Sequence, residues 1–318
     1  MWKVYFTLMR LFPSRFLQRA FWWCLRKVGI ADCLCDEGFL KLQLLGVTGE
    51  RYSLSNGGIN SWILWQRLNA YSPLMSTCCD KLAVRSFVKD RIGSDYLVPL
   101  CALNEGFSQG GGGYFVENPD DIDVSLLPSS FVLKLNNGSG MNLIVKDKTQ
   151  LDWEVAKDKM RQWLKSDYAN GSRERQYKGV KNRIICEEMI ATPNGEPPSD
   201  YKIMCSDGFP LYVWVDTDRF ARHKRNVFTT DWCDEGVTIS YARCENKIPR
   251  PKNLGLMLSL ASKLSKGFQI VRVDFYNVEG RIYFGEITFT SGCGIEITKP
   301  FSFSQKAARK IVEHKNVP

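Results

Sequence analysis

Two stretches of this 318-residue chain carry side chains whose types and spacing could do phosphate chemistry. In FVLKLNNGSGMN, Lys134 closes a predicted strand, and Gly138, Ser139 and Gly140 follow before a second strand begins. Glycines let a backbone approach a phosphate closely and aim N–H groups at it, while the lysine adds positive charge. The stretch lacks the G-K-[ST] ending of a Walker A loop, and a strand rather than a helix follows it. Two readings fit these residues: a hairpin lid over a triphosphate, or an ordinary Gly-Ser-Gly turn with a solvated lysine.

The second stretch, QIVRVDFYNVEGRIYFGEITF, reads as a hairpin. Strand alternation puts Arg272, Asp274 and Tyr276 on one face of the first strand, and Phe284, Glu286 and Thr288 on one face of the return strand. Carboxylates from adjacent strands, Asp274 and Glu286, can hold Mg²⁺ by a few oxygens while phosphates and waters complete the octahedron. Arg272 beside them could stabilise charge on a transferring phosphoryl group. A solvated cross-strand Arg272–Glu286 ion pair fits the same residues. Between the two stretches, RIICEEMI is an apolar strand ending in two acids. Backbone groups there could read an adenine edge and a carboxylate could take a ribose hydroxyl, or the acids simply mark a strand end.

The elements that must position these groups come in mixed order. Helices are predicted in INSWILWQRLNAYSPLM up to Pro73, in DKLAVRSFVKDRIG, in DWEVAKDKMRQWLKSDY and after Pro251. QGGGGYFVENPDD reads as a loop and linker. YKIMC and PLYVWV form a predicted hairpin across Asp207-Gly208. Frequent hairpins among interspersed helices predict an α+β fold with largely antiparallel sheets.

Composition narrows the partners. The net charge of +9 favours an anionic one, such as a nucleotide, a phosphorylated lipid or an acidic glycan. No nucleic-acid reader motif is present, so no nucleic-acid partner is expected. Eleven cysteines without a C-x-x-C pair, and only two histidines, argue against a zinc site. Unpaired thiols at this density predict the cytoplasm. The first thirty residues are rich in Arg, Lys, Phe and Trp and have no acid. Lys3, Arg10, Arg15, Arg19, Arg26 and Lys27 interrupt every apolar run, so no membrane span is expected. Two short basic helices around Pro13 could lie on an anionic membrane surface at its inner face, or dock on the rest of the protein.

A lysine with a Gly-rich hairpin, an acidic strand end, then D-x-F…F-G-E-I-T-F, in that order, resembles the ATP-grasp superfamily. More narrowly, the chain resembles the TupA-like ATP-grasp family of surface-polysaccharide assembly, over about residues 57 to 300. The blocks SPLMSTCCDKLAVRSFV, LPSSFVLKLNNGSGMNLIVKDK, SDYKIMCSDGFP and VDTDRF belong to the match. The resemblance implies two α+β subdomains gripping ATP between antiparallel sheets. The residues themselves read as basic amphipathic helices at 1–35 and a mostly helical region at 36–118, and the resemblance adds a lid subdomain at 119–190 and a C-terminal subdomain with the Mg²⁺ site at 191–318. Lys81, Arg85 and Lys134 would hold phosphates under the turn of Gly138, Ser139 and Gly140. Glu187, Glu188, Met189 and Ile190 would form the adenine hinge, with Glu188 near the ribose. Asp274 and Glu286 would hold Mg²⁺, and Thr288 stands where related ligases carry a metal-binding Asn. Arg272 would contact the transferring phosphoryl group, and Lys202 would face phosphate or substrate. Ser291 and Gly292 would line the acceptor site.

The activity implied is ATP-dependent joining of a carboxylate to an amine through an acyl phosphate. The expected substrates are an acidic sugar or polysaccharide and an amino acid or amine. Phosphoryl transfer to a sugar is an alternative, as is a non-catalytic glycan-assembly partner with a relict ATP site. Asn137, where the family usually has His, and Ser61-Trp62, where it tends to carry Glu-Lys, are departures that bear on substrate identity.

Overall fold

A computed structural model describes residues 14–106, 113–193, 195–217 and 222–315. Outside the described residues lie the helix expected before Pro13, most of the glycine run in QGGGGYFVENPDD, and the Asp218-Arg219-Phe220 end of VDTDRF. The described residues fall into two compact units: one within 1–71, 201–273 and 288–318, the other within 72–200 and 274–287. The four stretches expected from the sequence run consecutively, whereas each unit is assembled from separated segments. The first unit is interrupted twice, by 72–200 and by 274–287, the second interruption falling within the hairpin of β9 (Val271–Val278) and β10 (Arg281–Thr288).

The second unit is built on a four-stranded sheet. Its order is β1 (Phe115–Val116), β4 (Ile184–Glu188), β2 (Phe131–Leu135) and β3 (Asn142–Val145), every pair antiparallel. Along β2, Phe131, Leu133 and Leu135 are buried while Val132 and Lys134 are half-buried. This period of two turns one face toward the core and leaves Lys134 on the other. The core face packs with the helix Trp153–Leu164, which buries Ala156, Met160 and Trp163 at helical spacing. Asp152 caps that helix by accepting the Val155 N–H at 3.1 Å.

The first unit carries β5 (Asp200–Ser206), β6 (Phe209–Thr217), β7 (Lys224–Phe228) and the short β8 (Thr238–Ile239), the first three in a sheet ordered β10-β9-β5-β6-β7. The expected turn between β5 and β6 forms at Asp207 and Gly208, both with positive φ. β6 is buried on both faces from Leu211 to Asp216. Trp62 and Ile63 of the helix Ile59–Asn69 and Phe303 and Ile311 of the helix Phe301–Lys315 share a core with Trp214 and Val227. Gln66 fixes the entry to β9: its amide donates to Ile270 and Phe289 carbonyls and accepts the Ile270 N–H. Among the described residues, no helix is long and apolar enough to cross a membrane.

Candidate functional site

The residues singled out in the sequence fall into two clusters, one in each unit. In the second unit, β2 and β4 pair with Val132 opposite Glu187 and Lys134 opposite Ile185. Lys134 and Glu187 therefore share a face on a diagonal, within reach of long side chains. The Lys134 ammonium donates to the Glu187 carboxylate, and both side chains are largely shielded. Burial opposes the charge on Lys134, but Glu187, Tyr276 and Glu286 outweigh it and hold the lysine charged well above its ordinary range.

Lys81 joins the same cluster. Its ammonium donates to the Gly138 carbonyl at 2.7 Å and its backbone N–H to the Asn136 carbonyl at 2.9 Å. Burial lowers the Lys81 pKa, Glu286 pulls it back up and the charge of Lys134 pushes it down again. The two ammonium groups thus share the field of two carboxylates, Glu187 and Glu286, while the charge of Lys134 opposes that of Lys81. Gly138 has φ 78°, and a Cβ there would sit 2.8 Å from the Tyr168 ring, so backbone and space both require glycine. Gly140 also has φ 78° but faces open space, so only its backbone demands glycine, with Ser139 exposed between them.

Arg85 is held differently from the two lysines. One guanidinium N–H donates to the Val98 carbonyl at 2.9 Å, and burial lowers its pKa against the pull of Glu187. The hinge expected over Glu187–Ile190 is also divided. Glu187 faces Lys134, and the Glu188 N–H donates to the Pro99 carbonyl at 3.0 Å. Met189 and Ile190 follow the end of β4.

Asp274 is 1% exposed, and Glu286 is half-buried. The glycine of F-G-E lets the strands approach: a Cβ on Gly285 would lie 3.1 Å from the Asp274 carbonyl oxygen. Among the described residues, no group of three or more His, Cys, Asp and Glu side chains is gathered as a metal site. Two carboxylates suit a hard cation that takes its remaining oxygens from phosphates and water, and two nearby ammonium groups suit the phosphates. The donor set fits Mg²⁺ with a nucleotide.

In the first unit, Arg272 donates to Ser291 Oγ at 3.0 Å and to Thr288 Oγ1 at 3.1 Å. Ser291 in turn donates to Glu296 Oε2 at 3.0 Å. Glu296 Oε1 accepts from Arg225 at 3.0 Å, and Arg225 closes a fork onto Asp216 at 2.6 and 2.9 Å. Arg225 lies 4.6 Å from the Trp214 ring centroid and Arg272 5.7 Å from it. His223 Nε2 lies 3.3 Å from Asp216, whose field also includes buried Lys202. Burial by itself would raise the Asp216 pKa, but the Arg225 hydrogen bonds and charge, with Lys202 and His223, bring it below the usual range.

Sequence reading missed Asp216, Arg225 and Glu296 as a network. Asp216 stands in the quoted VDTDRF block, but Arg225 and Glu296 are 71 residues apart and carry no motif. A buried strand with an acid in it, YVWVD, was the one available signal.

The model of the family described as TupA-like ATPgrasp matches residues 61–311. The chain belongs to that family. Among solved structures, this TupA-like ATP-grasp protein is similar to N5-carboxyaminoimidazole synthetase from Staphylococcus aureus complexed with ADP. The two are 13% identical with a TM-score of 0.39, over 67% of this chain and 44% of that one. It is also similar to the L-amino acid ligase from Bacillus licheniformis, at 15% identity and TM-score 0.41, over 74% and 47%. D-alanine–D-alanine ligase from Bacillus anthracis complexed with ATP gives 13% identity and TM-score 0.40, over 82% and 77%. The chain spans about half the length of the first of these structures. No curated protein matches it.

Proposed function

We propose that this TupA-like ATP-grasp protein is an ATP-dependent carboxylate–amine ligase of bacterial surface-polysaccharide assembly. The observation that carries the reading is the Lys81 ammonium on the Gly138 carbonyl with Lys134 on the strand before that turn, both in the field of Glu187 and Glu286. Two ammonium groups that raise each other's charging cost gain from a polyanion, and a triphosphate supplies one.

In this reading Lys81 and Lys134 bind ATP phosphates, Arg85 lends a more distant positive charge, and Met189 and Ile190 present backbone to the adenine. Asp274 and Glu286 hold Mg²⁺, which when bound neutralises charge on the phosphoryl oxygens. A substrate carboxylate oxygen attacks the γ-phosphorus, and the bond from that phosphorus to the bridging oxygen of ADP breaks. An amine nitrogen then attacks the acyl carbon, phosphate leaves, and the amine proton passes to solvent. Arg272, held by Ser291 and Thr288, stabilises negative charge on the transferring group. Lys202 orients an anionic substrate. No protein nucleophile is needed.

The substrates proposed are a uronic-acid sugar as carboxylate and an amino acid or small amine as its partner. The net charge of +9 supports an acidic glycan. The setting proposed is cytoplasmic, peripheral at the inner face of the membrane through the basic N-terminal segment.

The test is ATP consumption by the purified protein with Mg²⁺, screening uronic-acid glycans against amino acids and amines. Phosphate release that requires both a carboxylate and an amine, and is lost in Asp274→Asn/Glu286→Gln, supports the ligase. Turnover with a sugar alone would replace it with phosphoryl transfer. ATP that binds without turnover under every pairing would leave a glycan-assembly partner.

A further inference from the structure

We propose that the helix Arg15–Lys27 docks on an anionic lipid bilayer through an outward face formed by Phe16, Ala20, Trp23 and Lys27. This specifies the membrane part of the reading above and is independent of the ligase chemistry.

The helix starts at Ser14, whose hydroxyl accepts the Leu17 N–H at 3.3 Å. Its inner face is accounted for. Trp22 is buried, meets the Phe39 ring edge-on at 5.3 Å, and lies against Gly46, where a Cβ would be 2.5 Å from its own Cβ. Phe21 and Leu25 are half-buried beside it. A surface helix normally turns its aromatic rings inward and its polar residues out. Here the outer face also carries rings: Phe16 is 78% exposed and Trp23 61%. They are seven residues apart, two helical turns, and so stand on one line with Ala20 between them. Val28 and Ile30, just beyond the helix, are exposed on the same segment.

Charge selects the partner. The helix holds Arg15, Arg19, Arg26 and Lys27 and no acid. Arg26 is committed to Asp32 at 2.9 Å, whereas the Lys27 ammonium lies 4.8 Å from the Trp23 ring centroid, at the rim of the apolar line. Exposed Arg19 flanks the same line. Rings rimmed by cations suit the headgroup layer of an anionic membrane, where aromatics sit at the boundary and cations meet phosphates. The same charges oppose pairing with a second copy, because two like cationic faces repel.

The test is co-sedimentation of the full chain with phosphatidylcholine vesicles, with and without phosphatidylglycerol. Wild type is expected to bind only the anionic vesicles and to release as salt rises. Phe16→Ser/Trp23→Ser is expected to lower the partition coefficient about tenfold or more. Arg19→Glu/Lys27→Glu is expected to abolish the preference for phosphatidylglycerol. Because these side chains are exposed, an unchanged thermal midpoint verifies folding of each variant. The proposal is overturned if wild type ignores anionic vesicles, if it self-associates through this face instead, or if either folded variant binds as wild type does. ATP turnover in lipid-free buffer reads the ligase separately, so the two can fail independently.

Discussion

Arg272 rests on Ser291, donating one guanidinium N–H to its hydroxyl oxygen at 3.0 Å, and the hydroxyl hydrogen is committed to Glu296. A serine has one hydrogen to give, so the carboxylate behind it fixes its lone pairs toward the arginine. Ser291→Ala and Glu296→Gln are therefore expected to lower ATP turnover by roughly tenfold or more, the scale seen when support behind a functional group is removed. ATP affinity should stay near wild type. A loss confined to nucleotide affinity, measured by calorimetry, would contradict this.

Thr288 accepts a second N–H from the same guanidinium at 3.1 Å. That contact favours Thr288 as a support for Arg272 over the metal-ligand role implied by its position. Thr288→Val should reduce turnover as Ser291→Ala does while leaving the Mg²⁺ dependence unchanged. A raised Mg²⁺ requirement in Thr288→Val would restore the ligand role.

Lys134 and Asp274/Glu286 should separate in their effects. In the proposed reading Lys134 holds an ATP phosphate, so Lys134→Met is expected to weaken ATP binding by about tenfold to a hundredfold. Asp274→Asn/Glu286→Gln should remove the gain in affinity that Mg²⁺ gives while preserving metal-free nucleotide binding. Calorimetric titration of ATP with Mg²⁺ and with EDTA checks both.

Asp216 should make the first unit acid-sensitive. Its folded pKa lies below the ordinary value, so its contribution is fully present above the unfolded carboxylate range. It is lost as pH falls through the lower, folded pKa. Asp216→Asn leaves Arg225 buried without its fork partner, expected to cost about 3–5 kcal/mol at neutral pH. The gap between wild type and variant should close in acid. Urea unfolding at a series of pH values measures it, and a gap that stays constant would refute the linkage.

The sequence by itself determined the local pieces, because their signals are local. The turns at Asp207-Gly208 and Glu279-Gly280 are two-residue sites of positive φ that glycine marks. The alternation in FVLKL puts Lys134 opposite the core face, and the order of motifs points to the ATP-grasp family.

Only the tertiary structure decided which distant groups meet. Lys81 reaches the Gly138 carbonyl across 57 residues, and Glu296 reaches Arg225 across 71. Such contacts depend on strand order and helix docking, which no periodicity encodes. The division of the chain into units is of the same kind. A hairpin that leaves one unit and returns to it looks continuous in sequence, because the chain carries no mark where packing changes sides. The N-terminal helix shows both levels at once. Its amphipathic, basic composition is legible residue by residue, but burial of Trp22 and exposure of Trp23 depend on the packing of Trp22 against Phe39 and Gly46.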